Sequence, residues 1–325
     1  MQKILLPLFS LIIFASKAQQ KDTIRVLSDV VIHAYAQDKP SLEVPAAVAK
    51  ISTIELQRFS NTNFLPVLNT QPGVRMEERS PGSYRLSIRG STIRSPFGVR
   101  NVKVYWNGLP LTDNGGNTYL NLLDFNSVDN LEIIKGPGSS LYGAGTGGVL
   151  LLNKTARNKN ELTATAQGGS YGLLRGQVGY AQSFKKFNIG FNQSYQQADG
   201  YRQNSEMKRT TTSLHGDLWL GKSTLSFNLL YSDLYYQTPG GLTKIQYDTM
   251  PTMARLAGGP FPSAVNAKAA IYNKTTFGGL TYSGDFGKWD VTISLFGNAT
   301  DFKNPAIRNY EKRDEKSVGL RTENH

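Results

Sequence analysis

From about residue 160 onward, apolar and polar residues alternate. In residues 288–300 the apolar set is Trp289, Val291, Ile293 and Leu295. Asp290, Thr292 and Ser294 lie between them, and Phe296 breaks the order. In residues 223–233, Leu225, Phe227, Leu229 and Tyr231 alternate with Thr224, Ser226 and Asn228. In residues 186–196, Phe187, Ile189 and Phe191 alternate with Asn188, Gly190 and Asn192. A period of two over about ten residues predicts half-buried strands. The polar set is Asn, Gly, Ser, Thr and Gln, and tyrosine recurs near strand ends, as in a membrane barrel with a wet interior. A soluble sandwich would share the alternation. The connections separate the two. They read short at 183–185, 220–222 and 284–287, and long at 197–208, 236–270 and 301–314, with one short exception at Gly169–Tyr171. Tight turns at one end and long loops at the other are a barrel feature. Seven strands and the start of an eighth fit before the chain ends.

The first half has another texture. Residues 19–45 are polar around one apolar run, Asp29–Ala34. Residues 46–155 predict a mixed α/β domain. Ser52, with Glu55 three residues on, caps a short helix. Residues 64–68 predict a second helix, stopped by Gln71-Pro72-Gly73. Strands follow at 85–89, 102–106, 131–134 and 149–153, with a turn at Asn107-Gly108. The fold class is β-rich: a small mixed α/β domain, then antiparallel transmembrane barrel strands.

The amino terminus places the chain in an exported compartment. Lys3, the apolar run Ile4–Phe14 and the small residues Ser16 and Ala18 have the order of a secretory signal peptide, residues 1–18. No run of ~18 apolar residues predicts a transmembrane helix. Net charge is +12, but the Lys and Arg are spread thinly, which argues against nucleic acid and for a solvated or lipid-headgroup surface. The chain has no cysteine, so disulfides and thiolate chemistry are excluded. His33, His215 and His325 make no ligand spacing. No acid pair, no nucleophile with a base and no metal cluster stands out, so no enzyme, cofactor or metal is expected.

Residues 131–154 raise a separate question. Gly136, Gly138, Gly143, Gly145, Gly147 and Gly148 crowd between two apolar runs. A phosphate loop would end in Gly-Lys-Ser/Thr and lead into a helix. This stretch has no such ending and leads into a strand. Close packing of backbone on backbone, and turns at positive φ, are the remaining reasons for such density.

Four motifs stand in order: residues 68–74 (LNTQPGV), 86–90 (LSIRG), 104–111 (VYWNGLPL) and 131–143 (LEIIKGPGSSLYG), the last continuing through Gly147, Gly148 and Val149. Together, behind a signal peptide and before barrel-like strands, they resemble the TonB-dependent outer-membrane receptors of the siderophore and iron-chelate type. The family pattern usually has Asp at Asn107 and often Arg at Lys135. The resemblance implies a plug domain inside a barrel of about 22 strands. It divides the chain into signal peptide 1–18, periplasmic coupling segment 19–45, plug 46–155 and the N-terminal part of a barrel, 156–325. The expected closing strands are missing, so a truncated receptor is expected.

The resemblance also implies roles. The full protein would take up a chelated nutrient across the outer membrane, most readily a ferric siderophore or similar iron complex. Cobalamin, haem, another metal chelate, an oligosaccharide, or a non-energised porin or adhesin are the alternatives. Partners would be TonB with its inner-membrane energising complex, the cargo and outer-membrane lipid, around a monomeric barrel. Asp29, Val30, Val31, Ile32, His33 and Ala34 resemble a TonB box, a strand that adds to the partner's sheet edge. Residues 22–26 (DTIRV) are a rival match. Arg89 and Lys135 would lock plug to barrel by pairing with acids on the inner wall. Arg79, Tyr84, Arg94, Phe97, Arg100, Asn117 and Tyr119, on three outward plug loops, would contact cargo, since guanidinium and aromatic groups suit an anionic chelate.

Overall fold

The computed structural model describes residues 31–32, 39–40, 43–44, 46–91, 98–143, 145, 147–154 and 160–324. The expected signal peptide and the rival coupling match lie outside the described residues. Of the expected coupling strand, Asp29–Ala34, only Val31 and Ile32 (β1) are described, paired antiparallel with Lys39–Pro40 (β2).

The plug begins at β3 (Val48–Ile51) and α1 (Thr53–Leu56). Ser52 caps α1 as its spacing predicts: its hydroxyl accepts from the Glu55 amide, and its own amide donates to the Glu55 carboxylate at 2.7 Å. Helix α2 (Leu65–Leu68) has proline in its first turn, where the missing N–H is harmless. Asn69 ties it to β4 (Val74–Glu78), accepting from the Met76 amide and donating to the Met76 carbonyl. β4 pairs with β5 (Tyr84–Ile88). β6 (Val102–Trp106) turns into β7 (Leu109–Pro110) through Asn107 and Gly108, both at positive φ, as a two-residue hairpin turn requires. β8 (Asn130–Ile134), α3 (Ser139–Tyr142) and β9 (Gly148–Asn153) follow. These strands form one sheet in the order β3-β8-β9-β6-β7, with β6 and β9 parallel.

The glycine stretch holds one helical turn, α3, which its sequence does not announce. It then brings β9 against β8. Gly148 sits at φ +144°, and an added Cβ would overlap the Ile134 carbonyl. At Gly147 a Cβ would crowd Ser91 and the Asn101 carbonyl. Backbone approach, rather than a ligand loop, accounts for these two residues.

The wall is a meander of eight antiparallel strands: β10 (Glu161–Gly169), β11 (Leu173–Ser183), β12 (Phe187–Ala198), β13 (Met207–Leu220), β14 (Ser223–Gln237), β15 (Ala270–Phe286), β16 (Trp289–Pro305) and β17 (Tyr310–Asn324). The sheet is open, with β10 and β17 at its edges. Turns at 184–186, 221–222 and 287–288 are short, and connections at 199–206 and 238–269 are long. The expected long connection at 301–314 is only residues 306–309, because β16 and β17 extend their ladder to Pro305–Tyr310.

The inner face is less uniformly polar than the alternation predicts. Leu230 and Phe277 are buried in the plug's core cluster, and Phe296 packs against it. Phe296 therefore does not break the register of β16. It shares the inward parity of Ser294 and faces the plug. Trp106, fully buried, lies 6.3 Å from the Phe277 ring and donates its indole N–H to the Ser127 carbonyl. Leu229, Leu280 and Leu295 point outward and are exposed, as lipid-facing residues would be.

Candidate functional site

A cleft of about 320 Å³ opens between the plug loops and the long-loop ends of β14 to β17. Five of the seven sequence-predicted cargo residues line it: Arg79, Tyr84, Arg100, Asn117 and Tyr119. Arg94 and Phe97 lie outside the described residues. Arg79 donates to the Ser83 hydroxyl at 3.1 Å, and Arg100 donates to the Asn117 amide oxygen at 2.6 Å. The Asn117 backbone N–H donates to the Asp113 carboxylate at 2.7 Å, which fixes the residue in its turn. Burial pushes the phenols of Tyr84 and Tyr119 above their ordinary value, so both present neutral hydroxyls.

The wall contributes residues that sequence reasoning missed. Arg313 on β17 donates to the Tyr119 hydroxyl at 2.8 Å and lies 4.5 Å over the Phe302 ring. It also pairs with Glu311 and Glu315. Tyr119 packs on Phe302 at 5.5 Å between ring centroids. Three guanidiniums, two phenols of the plug and one carboxylate, Glu311, make the cleft cationic and aromatic.

Below the cleft the plug is seated by charge. Asp124 is almost fully buried and caps the turn at Phe125–Ser127 by accepting from the Asn126 amide. Arg175 on β11 donates to both its oxygens, at 2.8 and 3.0 Å. Arg209 on β13 reaches it at 3.4 Å and also donates to the carbonyls of Asn121 and Leu123 and to the Gln196 side chain. Both arginines are buried. Thr211 bonds the Leu122 carbonyl, and the hydroxyls of Ser127 and Ser213 are 3.1 Å apart. The signal for these arginines was present. Each is a charge at an inward position mid-strand, in line with Gln177 or with Thr211 and Ser213.

Arg89 and Lys135, the residues expected to lock plug to wall, take no part in this ion-paired seat. Arg89 is exposed at φ +50°, and its guanidinium lies near Gly136. Burial and the nearby Arg89 charge push the Lys135 ammonium below its ordinary value. Among the described residues, no ion pair joins either to the wall. The position where the family pattern has Asp is instead used as an amide. Asn107 donates to Asn228 of β14 at 2.6 Å and accepts from the Lys154 amide at 2.7 Å, and a carboxylate could not do the first. Among the described residues, no group of His, Asp or Glu has the arrangement of a metal site.

Comparison with known proteins agrees with this geometry. Residues 40–149 match the TonB-dependent Receptor Plug Domain. The vitamin B12 transporter BtuB of Vibrio vulnificus (strain CMCP6) is 27% identical over 157 residues, which is 47% of this chain and 24% of that protein. Among solved structures, the unliganded ferric citrate transporter FecA superposes with a TM-score of 0.70 at 16% identity, covering 90% of this chain and 46% of that one. The ferric yersiniabactin uptake receptor FyuA from Yersinia pestis gives 0.63 at 14% identity, covering 86% and 46%. The chain thus spans about half the length of these structures and 24% of the curated relative. Residues 40–149 are a TonB-dependent receptor plug domain, and the strands after them have the fold of the N-terminal part of the barrel in receptors of that family.

Proposed function

We propose that this chain is part of an outer-membrane receptor that binds a chelated nutrient at the plug's outer face and passes it inward when TonB pulls on the coupling segment. The observation that carries this reading is the cleft, where Arg79, Arg100 and Arg313 converge with Tyr84 and Tyr119. Such a surface suits an anionic chelate with aromatic parts, and a ferric siderophore or similar iron complex meets both conditions. Cobalamin is the second reading, favoured by the likeness to a vitamin B12 transporter. Val31 and Ile32 would serve as the strand added to TonB, since strand addition draws its affinity from backbone hydrogen bonds.

The full-length gene product should fractionate with the outer membrane. Calorimetry with ferric siderophores and cyanocobalamin should find one class that binds. Val31→Pro removes a ladder donor and should abolish uptake while leaving binding intact. Uptake that persists in that variant would move the coupling strand to residues 22–26. A parent protein that binds neither class would sink the cargo assignment.

A further inference from the structure

Six inward wall residues lie in one row across neighbouring strands: Arg175, Gln196, Arg209, Leu234, Asn273 and Phe302 are successive register partners. Arg313 is the next partner, opposite Phe302. Plug residues 119–124 lie along this row. At one end Tyr119 meets Phe302 and Arg313. In the middle Leu122 shares an apolar cluster with Leu234 and Phe302. At the other end Asp124 closes on Arg209 and Arg175.

We propose that Asp124 is a positioning residue for cargo capture, which sets the floor of the cleft by seating residues 119–124 along this row. The proposal rests on the cleft being the cargo site. Two guanidiniums buried side by side repel each other unless an anion stands between them, and no second carboxylate among the described residues bonds either one. The Arg209 fork that reaches Asp124 also holds the Asn121 carbonyl. Asn121 in turn donates its side-chain amide to the Gly82 carbonyl, in the loop that carries Arg79 and Tyr84. One carboxylate therefore fixes Arg209, Arg209 fixes Asn121, and Asn121 joins two of the loops that line the cleft. Asp124 touches no part of the cleft itself and acts only through this chain of bonds.

The test uses the full-length receptor, purified in detergent. The sequence described here has no cysteine, and the Ser127 and Ser213 hydroxyls are 3.1 Å apart, so a Ser127→Cys, Ser213→Cys pair reports whether the segment is seated. Under mild oxidant the pair should crosslink in the parent and crosslink several-fold less with Asp124→Asn or Asp124→Ala. Affinity for the probes ferric citrate and cyanocobalamin should fall at least about tenfold in Asp124→Asn for whichever the parent binds. Oxidising the cysteine pair in that variant should restore most of the affinity, which a merely destabilised protein would not show. Heat-modifiable migration on gels checks that the barrel remains folded. Crosslinking that is unchanged in Asp124→Asn overturns the seat. Reduced crosslinking with unchanged affinity overturns the role in capture. If the parent binds neither probe, the cargo reading loses its support, while the crosslink ratio still decides the seat.

Discussion

Two pairs of cations stand in contrast in this molecule. Arg175 and Arg209 are buried on the wall, and the plug brings an acid, Asp124, between them. Arg89 and Lys135 lie at the plug's edge, where the described wall brings them no acid and where Gly147 and Gly148 let strands approach closely. The first pair fixes plug to wall by charge. The second region is held by backbone proximity. The polarity is also reversed from the sequence expectation, which put the cations on the plug and the acid on the wall. A buried charge needs its partner within bonding distance, so the fully enclosed pair is where removal of one member should matter most.

The largest effect should therefore come from Asp124→Ala. Leaving two buried guanidiniums without their anion should weaken the seating of the plug by about 3–5 kcal/mol, read as urea-dependent loss of protease protection in the full-length receptor. Adding Arg175→Met and Arg209→Met should recover much of it, because apolar replacements of a buried ionic group are close to neutral. Recovery that fails would mean the wall needs these charges for another reason.

Gly148→Ala tests the other side of the contrast. A residue other than glycine at φ +144° is strained, and its Cβ would overlap the Ile134 carbonyl. A loss of about 1–3 kcal/mol is expected, with no change in the crosslinking of the Ser127 and Ser213 positions. If the crosslinking drops as well, edge and seat are one cooperative unit.

The two regions also differed in how legible they were. The edge was readable because its glycines are a sequence feature: no other residue tolerates those contacts. The wall strands were readable from period two, and the turn at Asn107-Gly108 from its dipeptide. Five of the residues expected to contact cargo line one cleft, because the order of motifs places the plug loops. The seat was not read, because a charge inside a polar set looks like any wet lumen residue until a second body is brought against it. Phe296 shows the same limit. Its inward apolar side chain reads as a break in the pattern, and like the buried Leu230 it belongs to the wall's half of the plug core. Arg313 was hidden in a run of mixed charges, where only register with Phe302 reveals which charges face in.

At the outer end of the row, Tyr119→Phe should have a smaller effect. It removes the hydroxyl that accepts from Arg313 and leaves the ring on Phe302. Arg313 keeps Glu311 and Glu315, so the loss should be about 1 kcal/mol, or roughly fivefold in cargo affinity. Tyr119→Ala, which also removes the ring contact, should exceed it.

The smallest effect belongs to the edge cations. Arg89→Ala should change stability by no more than about 0.5 kcal/mol, since Arg89 is exposed. Lys135 gives the same region a pH signature. Its ammonium is held below the ordinary 10.5 by burial first and by Arg89 second. The folded plug thus binds fewer protons at this site than the unfolded chain, and stability rises with pH wherever that holds. The rise should fall between the lowered value and 10.5. Lys135→Gln should flatten it, and Arg89→Ala should shrink it by removing the like charge. A slope that survives Lys135→Gln unchanged would assign it to another group. A plug edge that instead loses stability with rising pH would show that an acid does reach Lys135 in the assembled receptor, and the contrast between the two cation pairs would then be one of distance rather than of kind.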